Sequence, residues 1–309
     1  MRLIALLLAA ALLLPLFVSC TMRETGEVGA VFTDDSGATV RAPREPLRVA
    51  VLFSSLAELW QLAGGETSIT VGESVERGIV SGEVSLVDAG AGKQINEELL
   101  IAASPDLIIG SADIPAQREA VALARELHIP AALFHLESFS DYLRILGIMT
   151  KITKNPTAYS RYGEALSAEI DEIKSAIPSG AAPSVLFIRA GSTAASTKAK
   201  RAEDHFAAAM LSELGARNIA DDAPILLDGL SLEAILLADP DLILIVTMGS
   251  EAAALLNIES LLRSPAWQTL SAVRAGKVHI LPKELFQYKP NGGWADAYRH
   301  LAELLYDEP

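Results

Sequence analysis

One sequence pattern occurs twice in the chain, at an interval of 135 residues. The first copy is NEELLIAASPDLIIG, from Asn96 to Gly110, and the second is SLEAILLADPDLILIV, from Ser231 to Val246. Each copy has a capping-type residue, a Glu two positions later, an apolar helical stretch, Pro-Asp and an apolar run. Each copy therefore predicts a helix that leads into a buried strand, which is a unit of an α/β fold.

Further predicted strands and helices alternate around both copies. The strand signals are LRVAVLF, SITVGE, DLIIG and PAALFHL in the first half, and SVLFIRAGS, DLILIVT and VHILP in the second. Before them, AVFTDDSGATVRA predicts a small hairpin with its turn at residues 35–37. Continuous apolar strands that alternate with helices predict parallel sheets with helices on both faces.

Between the two halves the strand signals stop. Asn155 and Pro156 are a typical N-cap and first-turn pair, and they predict one helix from Asn155 to Ile177, roughly 33 Å long at 1.5 Å per residue. We therefore predict an N-terminal α/β lobe (46–139), a helical segment with a lobe-spanning helix (140–178) and a C-terminal α/β lobe (179–309). Because a single long helix is a stiff connection, we expect a small hinge motion between the lobes.

The first 20 residues predict export. An apolar run from Leu3 to Val18 follows one Arg and ends at Ser19-Cys20, as an export signal does. FVSC resembles a bacterial lipobox, in which the Cys is lipidated, although Phe17 replaces the usual Leu. An ordinary cleaved signal is the alternative, but Cys20 is the only Cys in the chain and has the position that the motif requires. We expect an exported protein, lipid-anchored to the cell membrane and facing the periplasm or the cell exterior, with a tether and hairpin over residues 21–45.

Composition and motifs exclude several classes of protein. The formal net charge of -14 argues against a nucleic-acid partner, because phosphate binding needs clustered Lys and Arg. A single Cys excludes internal disulfides, thiolate metal clusters and, after lipidation, a Cys nucleophile. The sequence contains no G-x-S-x-G, Walker A, G-x-G-x-x-G or H-E-x-x-H motif, which argues against an exported enzyme. Five His residues without a His-rich loop argue against direct binding of a bare metal ion.

The ordered set of motifs carries a resemblance. FTDDSGATV, RVAVLFSSLAELWQLAG, SPDLIIGSAD, DPDLILIVT and LSAVRAGKVHIL together resemble the substrate-binding proteins of bacterial ABC importers for iron-siderophores, haem and vitamin B12. This resemblance implies two Rossmann-like lobes joined by one long helix, with a ligand cleft between the lobes. It also implies a non-catalytic protein without a resident cofactor, whose partners are a permease and its ATPase. We expect a monomer that delivers a ferric siderophore-type chelate to the permease; haem, cobalamin and a sensory role are the alternatives.

Candidate ligand-binding residues follow the predicted strand ends, where parallel sheets bind ligands. They are Ser54, Ser55, Arg77, Ser111, Asp113, Arg189, Thr247, Tyr288, Lys289 and Asn291. The cations suit the carboxylates of a ferric chelate or of haem, and Tyr288 suits a hydrogen bond to the ligand or an axial haem position. Simpler roles are a solvated charge for Arg77 and helix caps for Ser111 and Thr247.

Glu98 and Glu233 occupy the same position in the two copies of the repeat. Behind the predicted N-caps Asn96 and Ser231, each acid lies in a first helical turn, where it complements the helix dipole. The dipole explains one Glu but does not require the same position in both lobes. The resemblance implies that a Glu of each lobe docks onto Arg residues of the permease, and we assign that role to Glu98 and Glu233.

Overall fold

The computed structural model describes residues 28–88, 94–178, 180 and 182–306. The predicted signal peptide and Cys20 lie outside the described residues. The described chain begins with an antiparallel hairpin of β1 (Val28–Thr33) and β2 (Thr39–Pro43), at the predicted place. Its turn is held by the Asp34 carboxylate, which accepts hydrogen bonds from the backbone N–H groups of Ser36 and Ala38 at 3.0 and 3.1 Å.

The first lobe alternates strands and helices. Its strands are β3 (Val49–Val51), β4 (Ile69–Thr70), β5 (Ser85–Leu86), β6 (Leu107–Ser111) and β7 (Ala131–Phe134). Its helices are α1 (Ser54–Leu62), α2 (Gly72–Glu76), α3 (Glu97–Ala102) and α4 (Pro115–Glu126). The strands pair in parallel in the order β5-β4-β3-β6-β7.

A helical segment then leads to the second lobe. It consists of α5 (Phe139–Ile152), α6 (Pro156–Tyr159), a π-helical turn (Ser160–Glu164) and α7 (Ala165–Ser175). The helical backbone from α6 to α7 is continuous, so the helix predicted from Asn155 is about 30 Å long and has a π-helical turn near its start. Asn155 caps it, because its side chain accepts a hydrogen bond from the backbone N–H of Ala158 at 3.2 Å.

The second lobe repeats the arrangement of the first. Its strands are β8 (Ser184–Ala190), β9 (Lys198–Ala199), β10 (Arg217–Asn218), β11 (Leu242–Thr247) and β12 (Val278–Ile280). Its helices are α8 (Phe206–Glu213), α9 (Ile219–Asp222), α10 (Ile225–Asp228), α11 (Leu232–Ala238), α12 (Glu251–Leu262), α13 (Ser271–Arg274), α14 (Lys283–Phe286) and α15 (Trp294–Tyr306). Short 3-10 turns occur at Ala194–Ser196, Trp267–Thr269 and Asn291–Gly293.

The two sheets share one topology. The parallel order β10-β8-β11-β12 of the second lobe matches β4-β3-β6-β7 of the first, and the short β9 pairs with β8 in antiparallel orientation. In both lobes the helix of the repeated pattern leads into a central strand, β6 or β11. The predicted fold class, two α/β lobes with parallel sheets, is confirmed.

The Pro-Asp of each repeat ties two neighbouring strands together. The Asp106 carboxylate accepts a hydrogen bond from the backbone N–H of Arg48, one residue before β3, at 3.1 Å. In the second lobe, Asp241 accepts one from the backbone N–H of Ser184, the first residue of β8, at 2.8 Å. The recurring Asp therefore fixes the start of the neighbouring central strand in each sheet.

The apolar cores of the two lobes are continuous. Each sheet sends alternate side chains to opposite faces, as strands do. The apolar side chains on one face of each sheet form a cluster within their own lobe. The apolar side chains on the other face of both sheets belong to a single cluster that the two lobes share. Trp294 lies in this shared cluster, with its indole 5.8 Å from the Phe139 ring, 6.4 Å from Tyr142 and 5.7 Å from Phe206, measured between centroids. A shared core of this kind supports the expectation of a small hinge motion.

Candidate functional site

The polar residues that follow β3 meet a loop of the other lobe. This loop, residues 287–291, follows α14 and leads into the last helix; we call it the cross-lobe loop. Because parallel strands end at one edge of a sheet, the residues behind them converge there. Ser54 and Ser55, at the start of α1, are fully buried where the cross-lobe loop packs against the first lobe.

Arg77 connects the two lobes from the C-terminal end of α2. Its guanidinium donates to the Ser54 hydroxyl at 2.9 Å and forms an ion pair with Glu58 at 3.2 Å. On its other side, the guanidinium carbon lies 4.0 Å from the centroid of the Tyr288 ring. The Ser54 hydroxyl in turn donates to Glu73 at 2.5 Å. Arg77 is thus held in place by groups of both lobes, and a cation over an aromatic ring is favourable in its own right.

Asn291 makes a second connection between the lobes. Its amide nitrogen donates to the Ser55 carbonyl at 2.9 Å and to the Glu58 carboxylate at 3.0 Å. The residue is fully buried and has a positive φ of 48°, a conformation that Asn tolerates better than most residues. Burial raises the pKa of Glu58, and the hydrogen bond from Asn291 and the charge of Arg77 partly oppose this increase. The half-buried carboxylate is therefore held by Arg77 of its own lobe and by Asn291 of the other lobe.

Lys289 forms an ion pair between the two lobes. Its ammonium lies 2.5 Å from the carboxylate of Glu137, which belongs to the loop after β7, and 4.6 Å from the centroid of the Phe206 ring. The Lys289 side chain is 12% exposed, whereas that of Glu137 is 40% exposed. Burial lowers the pKa of Lys289, and Glu137 opposes this effect by favouring the charged ammonium.

Arg189 and His205 lie close to Lys289 on the second lobe. Arg189, near the end of β8, donates from Nε to Gln287 at 3.3 Å, and burial lowers its pKa while the charge of Glu137 raises it. His205 caps α8 by accepting a hydrogen bond from the backbone N–H of Ala207 at 3.2 Å. Burial, followed by the charges of Lys289 and Arg189, lowers the pKa of His205 to about 3. His205 is therefore a neutral group beside two cations.

Among the described residues, the other predicted ligand residues make no hydrogen bond to this cluster, although the charge of Asp113 raises the pKa of Lys289. The Ser111 hydroxyl accepts a hydrogen bond from the backbone N–H of Asp113 at 3.2 Å, so it closes a local turn. Asp113 pairs with the His135 ring at 2.8 Å on an exposed part of the first lobe. Thr247 is fully buried at the end of β11, and its hydroxyl has no hydrogen-bond partner among the described residues.

The structure thus brings most of the predicted residues together without testing their role. Ser54, Ser55, Arg77, Tyr288, Lys289 and Asn291 belong to one network, with Arg189 beside it. Sequence reasoning did not identify Glu58, Gln287 and Phe206. A signal for Glu58 exists, because it stands four residues after Ser54 and therefore on the same face of α1. That any of these residues contacts a ligand stays a prediction.

Glu98 and Glu233 are exposed in the first turns of α3 and α11. Asn96 caps α3 as predicted, by accepting a hydrogen bond from the backbone N–H of Leu99 at 3.0 Å. Ser231 has the N-cap position of α11, but its side chain makes no capping hydrogen bond. In α/β units a helix that precedes a parallel strand runs antiparallel to it, so we expect each acid at the edge of its sheet where the strands end.

A separate groove lies at the opposite edge of the first sheet. Its volume is about 850 Å³, and its walls include Leu47, Pro105, Leu127 and His128, which precede β3, β6 and β7. This position places the groove away from the strand ends and from the cross-lobe loop. Among the described residues, no group of three or more His, Cys, Asp or Glu side chains is arranged to hold a metal ion.

The described chain thus consists of two α/β lobes that are joined by a long helix and by polar contacts between the lobes. The sequence profile of the family described as periplasmic binding protein matches residues 49–285, which is most of the chain. The chain belongs to the periplasmic binding protein family. It is accordingly a binding protein and not an enzyme. A search of curated proteins finds no match.

Solved structures with the same fold come from several bacteria. An ABC transporter substrate-binding protein from Listeria monocytogenes EGD-e superposes with a TM-score of 0.68 at 17% identity, over 86% of this chain and 100% of that one. Staphylococcus aureus SirA complexed with staphyloferrin B superposes with a TM-score of 0.67 at 16% identity, over 89% of this chain and 97% of that one. The periplasmic heme-binding protein RhuT from Roseiflexus sp. RS-1 superposes with a TM-score of 0.65 at 19% identity, over 84% of this chain and 98% of that one. At these identities the likeness shows the fold.

Within the described part of the chain, no helix has both the length and the apolar character that a membrane span needs.

Proposed function

We propose that the protein is the extracytoplasmic substrate-binding component of an ABC importer and that it captures a ferric siderophore-type chelate between its lobes. The observation that carries this proposal is the convergence of Arg77, Arg189 and Lys289 with the Tyr288 and Phe206 rings at the cleft. Cations suit the carboxylates of a ferric chelate, and aromatic rings suit its organic parts. The binding of staphyloferrin B by SirA is consistent with this ligand class.

Haem is the second candidate, because RhuT is a heme-binding protein of the same fold and Tyr288 is a candidate axial ligand. Burial and the charge of Glu73 raise the pKa of Tyr288, and the charge of Arg77 partly opposes this increase.

Fluorescence and absorbance titrations test the ligand class. The chain has three Trp residues, so ferric chelates that bind near them should quench the fluorescence. The panel is ferric citrate, a ferric trihydroxamate, haemin and cobalamin. We expect saturable binding of an anionic ferric chelate, weakened at least tenfold by Lys289→Met, whereas Lys151→Met on the exposed face of α5 leaves it unchanged. A haemin Soret shift that disappears in Tyr288→Phe would favour haem instead, and no binding of any probe would refute the proposal.

We propose that Glu98 and Glu233 dock onto the permease. Both are exposed at matching positions of the two lobes, and neither belongs to the network of residues around the cross-lobe loop. In cells, the Glu98→Lys/Glu233→Lys variant should lose uptake while the purified protein keeps its affinity for the chelate. The control is Glu126→Lys, an exposed acid at the C-terminal end of α4, which should transport normally. Lost chelate affinity in the double variant would indicate a ligand role instead.

We also propose that Cys20 carries a lipid anchor, on the strength of the FVSC motif. Metabolic labelling with an alkyne fatty acid should mark the wild-type protein and not Cys20→Ala. Equal labelling of both would exclude this site.

A further inference from the structure

The Glu137–Lys289 ion pair has one buried and one exposed partner. Lys289 comes from the second lobe and is largely enclosed, whereas Glu137 reaches over from the first lobe and keeps 40% of its side chain exposed. A buried ammonium needs a counter-charge, because its desolvation is expensive. An exposed carboxylate gains little from the pair, since water solvates it well without its partner. Lys289 therefore requires an anion, but it does not require Glu137 in particular.

A second cation stands beside this pair without a carboxylate of its own. Arg189 is half-buried and donates from Nε to Gln287. In the part of the chain that the structure describes, no carboxylate forms an ion pair with Arg189, although the charge of Glu137 raises its pKa. Both cations therefore lie in the field of the Glu137 carboxylate, and the more distant charge of Asp113 also raises the pKa of Lys289. An anion with more than one carboxylate would satisfy both cations better than Glu137 does.

We propose that Glu137 is a built-in competitor that occupies the ligand's anion subsite, which Lys289 and Arg189 form. A ligand enters this subsite by displacing the Glu137 carboxylate from Lys289. Neutral and cationic molecules cannot supply the replacing charge, so the two cations select ligands that carry carboxylates, and Glu137 lowers the net affinity for these ligands. The inference rests on the proposed function, since it specifies the ligand chemistry of the same cleft.

Glu137→Gln tests this competition, because it keeps the shape of the side chain and removes its charge. The probe is citrate alone, measured by isothermal titration calorimetry. We expect citrate to bind Glu137→Gln at least tenfold more tightly than the wild type. The added affinity should disappear in Glu137→Gln/Lys289→Met. A ferric trihydroxamate without carboxylates should bind the wild type and Glu137→Gln with affinities that agree within twofold.

A matched control separates displacement from a general change in charge. Glu126→Gln removes the same charge from the same lobe, but Glu126 is exposed at the C-terminal end of α4, away from Lys289. We expect it to change citrate affinity less than threefold. If Glu137→Gln binds citrate no more tightly than the wild type, or if Glu126→Gln gains as much, the competitor role is wrong. The citrate result is independent of the chelate panel: if citrate behaves as expected and no ferric chelate binds, the anion subsite stands and the importer proposal fails.

Discussion

Trp294→Ala probes the shared core of the two lobes. The indole is 1% exposed and stands within 6.4 Å of the Phe139, Tyr142 and Phe206 rings, so its removal opens a cavity where the two lobes join. Loss of a buried Trp typically lowers the free energy of unfolding by about 3–5 kcal/mol, of which aromatic contacts supply about 0.5–1.5 kcal/mol each. The indole N–H has no partner among the described residues, so no hydrogen bond is lost. We expect a decrease of this size in urea unfolding.

A second Trp provides the control for the position of the cavity. Trp267 is 2% exposed and lies in the cluster on the outer face of the second sheet. Trp267→Ala should lower the unfolding free energy by a similar amount. Of the two variants, only Trp294→Ala should increase the radius of gyration measured by small-angle X-ray scattering, because Trp294 lies in the core that the lobes share and Trp267 does not. A loss below about 1 kcal/mol for Trp294→Ala, or equal scattering changes in both variants, would refute a shared core.

Two further predictions concern titrating groups. Burial raises the pKa of Asp34, but its hydrogen bonds and the nearby Arg125 outweigh burial, so the pKa is lowered overall. Asp34 therefore stabilises the fold above about pH 3.9, and this contribution is lost as the pH falls further. Asp34→Asn should therefore cost about 1.5–3 kcal/mol at pH 7 and clearly less at pH 3 in urea unfolding; equal costs would contradict the assignment. The pKa of the His205 imidazole is lowered to about 3, so the ring should show no NMR titration between pH 5 and pH 8. Because the unfolded chain binds this proton more readily, the free energy of unfolding should decrease as the pH drops below about 6.5. A midpoint near pH 6.5 would show that the ring is not buried as described.

The fold was predictable because its signals are local. Apolar strand runs, the Asn96 and Asn155 caps and the recurring Pro-Asp each lie within a few residues of the elements that they define. The two-residue strands β5, β9 and β10 were not predicted. Strands of that length carry no periodic pattern, and they exist only because a neighbouring strand pairs with them.

The site was predictable only in part. Position after a strand identified Arg77, Tyr288, Lys289 and Asn291 as neighbours of a cleft, but it did not indicate what each would contact. Lys289 and Glu137 are 152 residues apart in the chain, and Asn291 and Glu58 are 233 apart. No local pattern encodes such pairs, since they form only when the two lobes pack together.

A structure of the protein with a bound ferric chelate tests the central claim most directly. We predict electron density for the chelate between the lobes, in contact with Lys289 or Arg189. In that structure the Glu137 carboxylate should have left Lys289. Density in the groove beside Leu47 and Leu127, at the other edge of the first sheet, would contradict the account.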